Sequence, residues 1–207
     1  MNPRVSKPAA ERRGEILDAA QRLFTTAGVA ATSIDHILSE VGIAKGTLYY
    51  HFRSKDEILR ALIERTTEQV VARASEIANG DDKALPKFLA VLASMRIEET
   101  EFTEELHAEG NAEFHILSIV SMIRGIAPIL TTIVEQGIRE GIFATDRPRE
   151  MVEILLAASG TLLDRGIFVG DETEIPRRTE GILTAAEVLL GCAQGTFTGR
   201  LAANDES

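Results

Sequence analysis

The chain has 207 residues, 44% of them hydrophobic, and one cysteine, Cys192. A chain of this size buries a core without disulfides or metal, and no N-terminal segment joins a charged start, an apolar run and a small-residue cleavage site, so the expected compartment is the cytoplasm. The formal net charge of −10 opposes general attraction to nucleic acid, but residues 1–60 carry nine Lys/Arg against seven Asp/Glu while residues 61–207 carry 13 against 25, so only the head would meet phosphates without repulsion.

The hydrophobic spacing is helical almost throughout, which predicts an all-α protein of nine helices without internal repeats. Arg4 and Lys7 form a short basic arm ahead of a first helix over 9–27, with Ile16, Ala20, Leu23 and Phe24 on one face and Gly28 as a left-handed stop. Ala31-Thr32-Ser33 is a cap signal for a second helix carrying Ile34, Ile37, Leu38 and Val41 and ending at Gly42. A third short helix covers 44–50, and Ser54-Lys55-Asp56-Glu57 reads as a capping box that opens a long fourth helix, 54–78. Asn79-Gly80-Asp81-Asp82 ends it.

Beyond that turn, Leu85, Phe88, Leu89 and Leu92 mark one amphipathic helix, and another covers 102–126 with Gly110 as a kink. Pro128 is read as the start of a helix over 129–138 that Gly141 terminates. Pro148 and Pro176 sit in the first turns of the last two helices, 149–168 and 176–195. The apolar run 116–134 is long enough to span a bilayer, but Arg124 at its centre and the breakers Gly125 and Pro128 favour two core helices, and no membrane partner is expected.

The functional signal lies in Ala44 to Phe52, which holds both of the chain's tyrosines. Two short helices joined by a tight glycine turn match a helix-turn-helix, whose second helix enters the DNA major groove. Leu48 and Phe52, four apart, turn toward the small core with Ile37 and Val41, which leaves Lys45, Thr47, Tyr49 and Tyr50 on the other faces. Lys45 supplies charge, Gly46 permits close backbone approach, Thr47 can donate to a phosphate, and a tyrosine offers an apolar face and a hydroxyl. Lys55 and Thr32 or Ser33, at the starts of neighbouring helices, can clamp the backbone on either side. Tyr50 can serve both packing and contact, and His51 either contacts a phosphate or caps the helix end.

The segments ILDAAQRLFTTAG and ATSIDHILSEVGIAKGTLYYHFRSKDEIL resemble the DNA-binding head of the TetR (tetracycline repressor) family of bacterial transcription regulators. The resemblance covers about a quarter of the chain, residues 9 to about 60. It implies that Lys45 to His51 form the recognition helix and its exit, that Lys55 contacts a phosphate, and that residues 9–60 are a helix-turn-helix domain with the motif at about 33–52. Residues 61–79 would then be a connecting part of the fourth helix, and 80–207 a ligand-binding and dimerisation domain. It also implies a homodimer formed through the last two helices, a small-molecule effector and double-stranded DNA as partner.

In the body, His107, Asn111 and His115 recur at i, i+4 and i+8. Their span of about 12 Å is too long for two ligands of one metal on a straight helix, so a metal would need a carboxylate such as Asp164 or Glu104. A polar pocket lining and ordinary surface or packed positions are the other readings. Arg124 could meet an acidic ligand, or reach a helix end or an internal carboxylate. The acidic run at 98–105 reads as a solvated face, and no nucleophile–base arrangement or phosphate loop is visible. Neither a cofactor nor a catalytic role is expected. The apolar residues of the last two helices, among them Val152, Leu155, Leu156, Ala158, Leu162, Ile182, Ala185, Ala186 and Leu189, form more than one stripe, which predicts burial against both the body and a partner. The competing expectation is a helical ligand-sensing or protein-interaction module that does not bind DNA.

Overall fold

The computed structural model of the chain describes residues 7–97, 112–164, 167–168 and 170–199. Arg4, the acidic run 98–105 with Glu104, Gly110, and the pocket candidates His107 and Asn111 lie outside the described residues. The regular elements are α1 (Ala9–Ala27), α2 (Ile34–Val41), α3 (Lys45–His51), α4 (Lys55–Ala78), α5 (Ala84–Ile97), α6 (Ala112–Arg139), α7 (Pro148–Leu162), a 3-10 turn (Glu172–Glu174) and α8 (Ile175–Leu189). The all-α class holds, with eight α-helices rather than nine among the described residues. These residues fall into two compact units, divided within α4 between Arg65 and Thr66.

In the first unit, α1 buries Ile16, Leu17, Ala19, Ala20 and Phe24. Gly28 ends it with φ +79° and ψ 155°, a glycine basin but not the left-handed helical one expected. The chain therefore leaves extended, and the Thr32 amide returns to donate to the Gly28 carbonyl at 3.2 Å. Ser33 caps α2: its hydroxyl accepts from the His36 amide at 3.2 Å, and His36 Nδ1 accepts from the Ser33 amide at 3.4 Å, so histidine takes the place usual for Glu or Gln. Gly42, left-handed at φ +69° and ψ 38°, closes α2 by donating to the Leu38 carbonyl at 2.9 Å. At the start of α4 the Ser54 hydroxyl accepts from the Glu57 amide at 3.2 Å, while the Glu57 carboxylate reaches back to the Arg53 amide, one residue earlier than a standard box, at 2.6 Å.

The second unit packs α5 and α7 against α6, and α8 against α7. Its centre is a phenylalanine cluster, with Phe88 5.5 Å from Phe197 and 6.0 Å from Phe143 between ring centroids. Helix α6 is continuous where a break was expected. Pro128 lies inside it, and the two-helix reading of 116–134 is wrong. The carbonyl deprived of its bond by the missing proline N–H is that of Arg124, and Arg124 and Pro128 share the exposed face of the helix, so water can satisfy it. Gly125 is likewise a contact point rather than a breaker: a Cβ there would come within 2.5 Å of Val71 Cγ2 on α4. An 18-residue window within His115–Arg139 has a mean hydropathy of 1.8, so the helix is long and apolar enough to cross a membrane, but Ile126, Ala127, Leu130, Ile133 and Val134 are spent in this core.

The last two helices are shorter than expected. Helix α7 stops at Leu162, and Asp164 Oδ1 accepts from the Ile167 amide at 3.1 Å, a side-chain turn that competes with helix continuation. Helix α8 stops at Leu189 because the carbonyl of Leu190 accepts from the Ala144 amide at 2.9 Å and Gly191 turns at φ +64°, where a Cβ would lie 3.0 Å from the Ala144 carbonyl. The buried Glu187 carboxylate then gathers the chain that follows, accepting from the amides of Gly195 at 3.0 Å, Phe197 at 2.9 Å and Thr198 at 3.0 Å, and from the Thr198 hydroxyl at 3.1 Å. These donors, led by the Thr198 and Phe197 amides, hold the carboxyl at a pKa of about 2.

Two outcomes follow from this packing. Gly125→Ala should lower stability by about 1–3 kcal/mol in denaturant unfolding, and Val71→Ala in the same chain should restore part of the loss. Because the Glu187 carboxyl has a folded pKa below its unfolded value, its contribution is complete above the ordinary carboxylate range of about 4.3 and disappears as pH falls through about 2. Amide exchange should therefore keep Phe197 and Thr198 protected at pH 4, whereas in Glu187→Ala both amides should lose protection even at neutral pH.

Candidate nucleic-acid interface

Helix α3 is only seven residues long, and a helix so short depends on packing for its stability. Leu48 and Phe52 provide it, at 0% and 1% exposure, in a unit whose other fully buried side chains include Ile16, Phe24, Ile37 and Ile58. The Arg13 guanidinium lies over the Phe52 ring, 5.0 Å from its centroid. Burying both side chains fixes the rotation of α3 and turns its remaining faces outward. Val41, placed with them by spacing, is half-buried.

The outward set is led by Lys45, Gly46, Tyr49 and Tyr50, with Tyr49 43% and Tyr50 79% exposed. Thr47 and His51 are half-buried. Lys45 Nζ sits 5.9 Å from the Tyr49 ring centroid, which keeps charge and aromatic face together on one surface. The His51 ring meets Tyr50 edge-on at 5.0 Å. Space around Gly46 is open: a Cβ there would touch nothing within 4 Å. Ser33 is exposed, and while its oxygen caps α2 its O–H can still donate.

Two predicted contacts are placed otherwise. Thr32 is 1% exposed, and its hydroxyl donates to the Gly28 carbonyl at 2.8 Å and lies 3.2 Å from the Leu23 carbonyl, so this side chain ties the α1–α2 loop instead of facing a phosphate. Lys55 is half-buried, and its ammonium donates to the carbonyls of Val29 at 2.6 Å and Thr32 at 3.0 Å. It staples the start of α4 to the same loop, a structural duty that the sequence reading did not include.

In the second unit the two described candidates, His115 and Arg124, take the packed and surface positions that were one of the sequence readings. Arg124 stands on the exposed face of α6. His115 is buried and its Nδ1 pairs with Asp164 Oδ2 at 2.9 Å, so the carboxylate named as a metal partner is instead a direct neighbour of the histidine. Among the described residues no group of three or more His, Cys, Asp or Glu is placed to hold a metal. Neither Arg124 nor His115 is on the wall of the cavity that this unit does contain, about 250 Å³ between α5, α6, α7 and α8. Its lining is apolar, with Phe88 from α5, Ile119 and Met122 from α6, Leu156 from α7 and Leu183 from α8. Val152, Leu155, Leu156, Ile182 and Ala186, which sequence spacing assigned to an apolar stripe, are all on this wall. The stripe was the available signal, read as helix packing.

Residues 16–62 match the family model described as bacterial regulatory proteins, tetR family, and residues 95–184 match the tetracyclin repressor-like C-terminal domain. The chain is 39% identical over 75 residues to the HTH-type transcriptional regulator TtgR of Pseudomonas putida, a match that spans 35% of this chain and only 36% of that protein's length. It is 30% identical over 143 residues to the HTH-type transcriptional repressor KstR2 of Rhodococcus jostii, covering 65% of this chain and 69% of the relative. The structure of SmeT, the repressor of the Stenotrophomonas maltophilia multidrug efflux pump SmeDEF, has the same fold, with a TM-score of 0.66 and 21% identity over 89% of this chain and 92% of that one. An outward-facing α3 on a buried Leu48–Phe52 base, matched family models over both units and a repressor relative aligned through most of its length lead to one assignment: the chain belongs to the TetR family of bacterial transcription regulators.

Proposed function

We propose that the chain is a cytoplasmic, homodimeric repressor that reads a palindromic operator with α3 and releases it when a small molecule occupies the second unit. The observation that carries the reading is the division of α3 into a buried pair, Leu48 and Phe52, and an exposed set, Lys45, Gly46, Tyr49 and Tyr50. Lys45, Thr47 and Ser33 are assigned to phosphates, Tyr49 to a base edge or methyl group, and Tyr50 and His51 to the exit of the helix from the groove. Lys55 reaches a phosphate only through the ammonium proton that its two carbonyl bonds leave over.

The dimer is assigned to the outer faces of α7 and α8. Ile154 is 50% and Val188 76% exposed, and Gly181, Thr184 and Ala185 extend the same small, largely apolar surface along α8. Two-fold symmetry places the α3 helices on half-sites about one helical turn, ~34–36 Å, apart. Ligand release requires only that the ligand prefer the dimer geometry that does not fit DNA. The names of the relatives, a repressor of R. jostii and the repressor of an efflux pump, favour repression.

The test is binding of purified protein to fragments of its own upstream region, across a salt series. Specific binding that weakens with salt is expected, with Tyr49→Ala costing about 1–3 kcal/mol and Lys45→Ala lowering the salt slope by about one. Thr32→Val should cost about 1 kcal/mol of folding stability yet leave DNA affinity unchanged at temperatures where the head is folded. Absence of binding to any fragment at low salt, or equal affinity in Tyr49→Ala and Lys45→Ala, would remove α3 as the reading surface.

A further inference from the structure

We propose that the cavity of the second unit receives an uncharged, predominantly apolar molecule of one or two rings carrying at most one or two hydrogen-bonding groups. The proposal names the ligand class for the regulatory reading above and rests on that reading for its biological role. None of the described wall residues is titratable, and the polar side chains among them are the hydroxyls of Ser159 on α7 and Thr179 on α8. Thr179 already donates to the Ile175 carbonyl at 2.8 Å, so toward the cavity it can act as an acceptor. Among the described residues a ligand charge would thus find no counter-ion on the wall, which costs several kcal/mol, whereas a single hydroxyl or carbonyl finds a partner.

Size and surface narrow the class further. A dry cavity of 150 Å³ lined by Leu, Ile and Phe admits benzene, so about 250 Å³ leaves room for a substituted ring or a fused pair. Phe88 and Phe197 bring aromatic rings to the wall, and Met95 and Met122 offer flexible thioethers that adapt to aromatic ligands. Phe197 is fixed there through its own amide, which donates to the Glu187 carboxylate at 2.9 Å, so one wall is held in place before any ligand arrives.

The experiment uses the full chain and the neutral fluorescent probe 1-naphthylamine, competed by 2-naphthol and by 2-naphthoate, which has a similar shape but is ionised at pH 7. Saturable fluorescence enhancement is expected, with 2-naphthoate at least ~30-fold weaker than 2-naphthol as a competitor. Leu183→Trp should fill the space and abolish binding. If that variant melts early, Ser159→Ala answers instead, weakening 2-naphthol but not 2-methylnaphthalene. Absence of saturable probe binding, equal or stronger competition by 2-naphthoate, probe binding untouched by a folded Leu183→Trp, or 2-naphthol competition untouched by Ser159→Ala overturns the proposal. Binding of 2-naphthol that leaves DNA affinity unchanged upholds the ligand class and counts only against the regulatory reading.

Discussion

The burial of Leu48 and Phe52 is the constraint on which the DNA-reading surface depends. A seven-residue helix gains too few internal hydrogen bonds to stand alone, so its orientation comes from these two side chains, each worth roughly 1.5–3 kcal/mol on burial. Once they are inside, helical geometry leaves Lys45, Gly46, Tyr49 and Tyr50 outside. The loop between α1 and α2 is held with equal care: the Thr32 hydroxyl and the Lys55 ammonium both bond its carbonyls, and Ser33 caps the helix that follows. The exposed face is therefore carried by a frame whose polar groups are already satisfied.

Much of this head was legible from sequence because its signals are short-range. The cap signal ending at Ser33, a glycine after Val41, and two apolar residues four apart each act within one or two turns. What was not legible is what a side chain meets across the fold. A threonine beside a cap reads the same whether it faces solvent or, as Thr32 does, two backbone carbonyls. Lys55 reads as a free cation until Val29 and Thr32 are brought beneath it. Pro128 reads as a helix start, yet the proline rule yields when the orphaned carbonyl faces water and the opposite side of the helix is packed.

The second unit was less legible for a related reason. Sequence reading looked for a ligand site among polar residues, His115 and Arg124 among them, whereas the cavity is built from the apolar residues that any helix core would use. Only three-dimensional packing separates a residue that fills space from one that borders it. The same limit hid Glu187, one of many carboxylates in an acidic chain, which becomes the organiser of residues 195–198 and thereby of the Phe197 wall. In both units a polar group acts at a distance from the surface that meets a ligand, and sets that surface in advance.

The central claim, that α3 is the DNA-reading element and is held ready by its own core, is tested most directly by amide hydrogen exchange of the full chain with and without DNA from its own upstream region. The account predicts added protection at residues 33–51 in the complex, while Ile37 and Leu48 are already protected in the free protein. Unchanged exchange across 33–51 in a demonstrably bound complex, or Leu48 exchanging freely until DNA is added, would contradict it.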